Sequence, residues 1–261
     1  MNTIDYHSFV HDYNILIYIA LSFFLFAILS FELIPKKRFS VLFLFLGSLS
    51  LFSYMAAVYP FLHVWDEQFH ALVAKNMMQH PFIPSLMYQP ELTVDSSWAS
   101  TDIWLHKQPF FLWQMALSMK LFGVNTFALR IPSILMTSLL PILIYRIGKI
   151  VLNKSLGFYA AFLFLTSSFL LQLVPGILNT DHNDVAFIFY VTASFWAWFE
   201  YQNSKNKYWL IAIGLFSGIA ILTKWLVGLI VYAGWGLNII FDKNKRTDIQ
   251  QYFQLLKSLI I

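Results

Sequence analysis

Long apolar runs separated by short basic or mixed stretches dominate this chain. Seven of them predict membrane-spanning helices at roughly 14–34, 39–60, 128–148, 155–175, 184–201, 208–222 and 225–241, since a hydrocarbon core of about 30 Å takes about 20 helical residues. The last two need an argument. One helix over 208–241 would be roughly 50 Å long and would hold Lys224 near its middle, in hydrocarbon. A hairpin turning near Thr223-Lys224 avoids both costs.

The stretch 61–127 has a different pattern. His63 to Gln79 reads as a helix with Phe69, Leu72, Val73 and Met77 on its apolar side, stopped by Pro81 and Pro84. Thr93 to Asp102 is a polar loop. Phe110 to Phe122 reads as a second amphipathic helix, closed by Gly123. Both are expected to lie on the membrane surface. The expected architecture is therefore all-α, a polytopic transmembrane helical bundle forming a single domain over 1–261. It holds two N-terminal spans in 14–60, an outer loop with two surface helices in 61–127, five spans in 128–241 and a segment 242–261. Within that last segment, Tyr252 to Ile261 reads as the start of a further span.

Composition agrees with a membrane protein. Hydrophobic residues make up 59% and charged residues 11%, against about 25% charged in soluble domains. With no cysteine in the chain, disulfides and thiolate metal sites are excluded. Met1 to Asn14 lacks a basic n-region, so no cleavable signal peptide is expected. The net charge of +4 is small, and its placement reads as membrane topology rather than nucleic-acid binding. Basic residues fall after alternate spans: Lys36, Lys37 and Arg38; Arg146, Lys149 and Lys154; Lys205 and Lys207; Lys243, Lys245 and Arg246. The positive-inside bias assigns these loops to the cytoplasm. Segment 61–127, the loop 176–183 and the turn at Lys224 then lie outside. That places Asp66, Glu67, Asp181, Asp184 and all seven histidines on the outer face of a multi-pass cell-membrane protein.

Four clusters on that face carry candidate chemistry. In "HVWDEQFH", Asp66 and Glu67 stand where they would favour the positive end of a helix dipole, or where a carboxylate would deprotonate an acceptor hydroxyl or bind a metal. Lys107 and Arg130 are either cations snorkelling at headgroup level or a clamp for phosphate. "LNTDHNDVAF" carries Asp181, His182 and Asp184 straight into a span, where carboxylates are costly enough to suggest a role. Lys224 sits at an outer turn. Asp66 and His70 are four apart, with His63 a turn earlier, and His7 and His11 repeat the spacing, so a divalent metal is a candidate cofactor. His70, His106 and His182 are candidates for binding the acceptor or a metal.

The order of these features resembles the GT-C superfamily of integral-membrane glycosyltransferases, in the branch of protein O-mannosyltransferases and the aminoarabinose transferase of lipid A. The resemblance rests on Asp66-Glu67 followed by His70-Ala71, on Leu121-Phe122-Gly123-Val124-Asn125, on Arg130-Ile131-Pro132-Ser133, on Thr180-Asp181 with Asp184, and on Thr223-Lys224. Four departures stand out. His106-Lys107-Gln108-Pro109 replaces the usual Glu-Lys-Pro-Pro, Trp225 stands where glycine is usual, the insert Thr93 to Asp102 is longer than the typical loop, and the span 14–34 is additional. The resemblance implies a hexosyl- or pentosyltransferase that moves a sugar from a polyprenyl-phosphate carrier to an acceptor hydroxyl on a glycan, lipid or protein. It implies Asp66 as base with Glu67 in support, Asp181 or Asp184 as a second carboxylate, and Lys107, Arg130 and Lys224 against the donor phosphate. A non-catalytic membrane scaffold and a transporter are the competing expectations. The transporter would need ionisable groups near the bilayer midplane and an internal repeat, and neither is visible in the sequence.

Overall fold

The computed structural model describes residues 6–35, 37–86, 103–178 and 181–261, the side chains of 6–12 and of Asp181 excepted. Among the described residues every regular element is helical: α1 (Tyr6–Leu33), α2 (Arg38–Val58), α3 (Asp66–Met77), α4 (Phe110–Phe122), α5 (Thr126–Val151), α6 (Lys154–Phe164), α7 (Ser168–Leu173), α8 (Asp181–Ser204), α9 (Tyr208–Lys224), α10 (Ile230–Phe241) and α11 (Ile249–Ile260). The architecture is an all-α membrane bundle, as expected. Helix α5 is its centre, packed against α2, α4, α6 and α8. Just over half of its apolar stretch is buried, 56%, against 22% for α1, which packs mainly on α2 and leaves the rest of its surface outward.

Among the described residues four stretches are long and apolar enough to cross a membrane: Tyr13–Leu33, Arg38–Val58, Thr126–Val151 and Tyr208–Phe241. The fourth is not one rod. Helix α9 ends at Lys224, Trp225 takes φ +61°, and a 3₁₀ turn over Trp225–Leu229 leads into α10. The chain then runs back along itself. Ser217 Oγ donates to the Tyr232 hydroxyl at 3.3 Å, whereas in a continuous helix the two residues would stand about 22 Å apart. The return is tight: a Cβ on Gly228 would lie 2.5 Å from the Ile221 nitrogen. The expected hairpin is there. Helix α11 docks on α9 and α10 through Ser258, which donates to the Leu210 carbonyl at 3.0 Å and whose own carbonyl accepts from Tyr232 at 2.7 Å.

One expected span is corrected. Segment 155–175 is two pieces, α6 and the short α7, with a turn at Leu165–Ser167. Thr166 Oγ1 donates to the Leu163 carbonyl at 2.8 Å, offering the backbone a local partner in place of the next helical turn. After α7 the chain closes with Ile177 N donating to Gln172 O and with Gly176 at φ +74°, a left-handed helix end.

The segment between α2 and α5 contributes α3 and α4. Helix α4 has the predicted bounds, and α3 is shorter than predicted at both ends. Helix α3 buries Glu67, His70, Val73, Ala74 and Met77, one helical face, while Leu72 from the predicted apolar set stays exposed. Asn125 then caps α5 by accepting from Ala128 N at 2.8 Å. Pro132 inside α5 has no N–H, so the carbonyl four residues earlier, on Ala128, loses its helical donor. Ser118 Oγ of α4 fills that place at 2.5 Å. The polar loop 93–102 lies outside the described residues.

Candidate active site at one mouth of the bundle

The site begins with Glu67. It is the second residue of α3, and its side chain turns inward between α5 and α8 rather than capping its own helix, whose N-cap is Trp65. Its carboxylate accepts four hydrogen bonds. Oε1 takes Arg130 Nε at 2.7 Å and His182 Nε2 at 3.1 Å; Oε2 takes Arg130 Nη2 at 2.9 Å and the His63 backbone N–H at 2.6 Å. Those fill its lone-pair sites. Burial pushes the carboxyl upward, but the hydrogen bonds from His182 and Arg130 outweigh it and hold the group at about 2.

Arg130 is equally committed. Besides its two bonds to Glu67, Nη1 donates to the Ala56 carbonyl at 3.0 Å and to the Tyr59 carbonyl, and Nη2 donates to the Phe61 carbonyl at 3.1 Å. A guanidinium has five N–H groups, and all five are used. Arg130 is wholly buried. The sequence suggested a phosphate clamp here; the structure instead gives Arg130 the C-terminal end of α2, the following loop and Glu67 as partners. His182 continues the network: its Nε2 faces the carboxylate, which only accepts, so its Nδ1 accepts the Ser133 hydroxyl at 2.6 Å when the ring is neutral. Ser133 lies three residues beyond Arg130, on the same face of α5.

Around this sealed core stand two ion pairs whose lysines reach solvent. Lys107 Nζ lies 3.5 Å from Asp66 Oδ2, both side chains partly exposed. Lys224 Nζ, nearly half exposed, pairs with Asp184 Oδ1. Gln108, the residue after Lys107, lies with its amide against the Thr223 carbonyl and the Trp225 indole, on either side of Lys224 in the chain. His70 is fully buried, edge-on to Phe111 at 4.8 Å and Trp104 at 5.6 Å, and His106 is tilted against Trp104 at 5.8 Å. The structure thus brings Asp66, Glu67, Lys107, Arg130, His182, Asp184 and Lys224 to one end of the bundle, with His70 and His106 behind them around Trp104. Asp181 begins α8 beside them, and its side chain lies outside the described residues. Among the described residues no three His, Asp or Glu side chains gather as metal ligands; the His70 ring packs edge-on against Trp104 and Phe111.

Two further residues were not singled out from the sequence. Gly176 passes so close to Glu67 that a Cβ there would sit 2.4 Å from the carboxylate. Gln108 places its amide against the residues that flank Lys224. The backbone adds a third feature. Of the three non-glycine residues with positive φ among those described, Trp65 (φ +81°) immediately precedes Asp66 and Trp225 (φ +61°) immediately follows Lys224. Such conformations cost about 1–3 kcal/mol each and concentrate at functional sites. At position 225 the turn demands a positive φ, which glycine adopts without strain.

Residues 106–261, more than half of the chain, match the dolichyl-phosphate-mannose-protein mannosyltransferase family. The chain belongs to this family. It is accordingly a member of the GT-C superfamily. Over 177 residues the chain is 30% identical to an uncharacterized protein of Aquifex aeolicus (strain VF5), covering 66% of this chain and 32% of that protein. Over 158 residues it is 27% identical to an undecaprenyl phosphate-alpha-4-amino-4-deoxy-L-arabinose arabinosyl transferase 1 of Pseudomonas fluorescens, covering 56% of this chain and 29% of that protein. The chain spans about a third of the length of the curated relatives it matches. No solved structure matches it. The family match includes Lys107, Arg130, His182, Asp184 and Lys224 and begins after Asp66 and Glu67.

Proposed function

We propose that this chain carries the acceptor-activating and donor-phosphate-binding wall of a membrane glycosyltransferase. In this reading it moves a hexose or pentose from a polyprenyl-phosphate carrier to an acceptor hydroxyl on the extracytoplasmic face. The observation that carries the reading is the pair of lysine–carboxylate contacts, Lys107–Asp66 and Lys224–Asp184, at one mouth of the bundle.

The reaction asks for a base near the acceptor and cations near the leaving group. The acceptor oxygen attacks the anomeric carbon as the carbon–oxygen bond to phosphate breaks. The bonding electrons leave with the phosphate, and the hydroxyl proton passes to a carboxylate. Asp66 suits the base, because it is partly exposed and Glu67 has no lone pair left to offer. Lys107 and Lys224 suit the phosphate, because each is accessible and Arg130 has no donor left. Asp184 would release Lys224 on donor binding and help to place the acceptor. Arg130, His182 and Ser133 are positioning residues, acting through Glu67 to hold the start of α3 and therefore Asp66. The carrier's apolar tail would lie against the spans.

The test is transfer from labelled polyprenyl-phosphate sugars in membranes containing the chain. Asp66→Asn should lower transfer at least about 100-fold, the low end for losing a general base, with expression unchanged. Near-normal turnover in that variant would sink the assignment, and absence of transfer in the parent would favour the scaffold.

A further inference from the structure

The opposite end of the bundle holds a second polar feature that this reading does not use. A cleft of about 610 Å³ opens between the start of α2, the C-terminal third of α5 and the start of α6. That volume is in the range of small-molecule sites. Its rim carries Lys37, Arg38, Arg146, Lys149 and Lys154, and among the described residues no carboxylate lines it. Two of these cations are already occupied within the protein: Arg146 pairs with Glu200, and Lys37 donates to the Phe31 carbonyl. The one acid of the adjoining α1 end, Glu32, accepts from Tyr159 at 2.6 Å instead. Arg38, Lys149 and Lys154 have no carboxylate within salt-bridge distance among the described residues.

Below this rim the cleft turns apolar. Val41 stands one turn inside α2, Leu143 one turn inside α5 from Arg146, and Trp196 faces in from α8. The sequence of surfaces is therefore cations at the level where a span leaves the membrane, then hydrocarbon along the spans. A soluble anion would use the first part only. A membrane lipid with an anionic phosphodiester headgroup would use both, its phosphate among Arg38, Lys149 and Lys154 and its acyl chains along Val41 and Leu143. The positive-inside bias sets this rim in the leaflet whose surface is negative.

We propose that this cleft is a binding site for an anionic phospholipid, separate from the site for the sugar donor. The probes are phosphatidylglycerol and phosphatidylcholine, titrated onto the delipidated full chain in detergent and read by native mass spectrometry. Phosphatidylglycerol should be retained at least tenfold more strongly. Each cation near an anionic headgroup is worth roughly a fivefold change in affinity, so R38Q/K149Q/K154Q should abolish the preference. Lys243→Gln with Lys245→Gln, cations on the same face and away from the cleft, should keep it. Equal binding of the two lipids by the parent chain would overturn the proposal without any variant. So would equal loss in the control variant, which would mark a diffuse basic surface. Displacement of the lipid by millimolar inorganic phosphate would overturn it as well, because the site would then be one for a free anion. None of these readouts depends on sugar transfer, so the proposal and the reading of the outer site fail independently.

Discussion

Replacing Arg130 with methionine separates a buried strut from a phosphate clamp. The structure gives the guanidinium two bonds to Glu67 and three to the carbonyls of Ala56, Tyr59 and Phe61, with both charged side chains essentially out of contact with solvent. Removing one partner of a buried pair leaves the other charge uncompensated, at about 3–5 kcal/mol. For a chain of this size about 1 kcal/mol shifts the melting temperature by roughly 2–4 °C. Arg130→Met should therefore lower it by roughly 6–20 °C in a detergent thermal-unfolding assay. Glu67→Gln should also destabilise, because its new N–H₂ meets only donors on one side. The double variant removes both charges together and should be less unstable than the sum of the two, by at least about 1.5 kcal/mol. A clamp for donor phosphate predicts another pattern: Arg130→Met would melt within about 2 °C of the parent while losing donor affinity. That result would refute the strut.

Three further outcomes follow from the same geometry. Gly176→Ala puts a Cβ onto a carboxylate that four hydrogen bonds hold in place, at a backbone angle L residues resist, and should cost about 2–4 kcal/mol in the same melting assay. Trp225→Gly should raise stability by about 1 kcal/mol by relieving the left-handed backbone, whereas Trp225→Ala, which keeps the strain, should not. Glu67 titrates at about 2 instead of its ordinary 4.5, so its folded-state charge contributes about 3 kcal/mol. That contribution is complete above pH 4.5 and is lost as the pH falls toward 2; the acid melting curve of Glu67→Gln should lack this fall.

The spans that could be read from the sequence were those where length and hydropathy speak alone: α1, α2, α5 and the hairpin at Lys224, where a straight helix would have held a cation in hydrocarbon. The break at Thr166 was not legible, because hydropathy averages over a local hydroxyl–carbonyl bond. Helix α4 could be bounded from Gly123 and its amphipathic face. The face of α3 was misjudged because Glu67 and His70 point inward, and an inward carboxylate looks polar until its partners, Arg130 and His182, are known to lie 63 and 115 residues away. The candidate cluster was legible as residue types on one membrane face. Which cations were free and which were spent was not, since that depends on the three carbonyls around Arg130. Trp225 looked like a departure from the family pattern, and only its positive φ shows what the departure costs.

The bond from Ser118 to the Ala128 carbonyl has a mechanical consequence. The opening left by Pro132 acts as a socket, and Gln114, one turn earlier on α4, adds a second fastening by donating to the Tyr190 hydroxyl at 2.8 Å. Helix α4 is thereby bolted to α5 and α8 rather than floating on the lipid surface. Lys107, three residues before α4, inherits its height above Asp66 from the spans. A thicker or thinner bilayer can be met by tilting the peripheral α1, at fractions of a kcal/mol per ångström of mismatch, while the Lys107–Asp66 spacing stays the same.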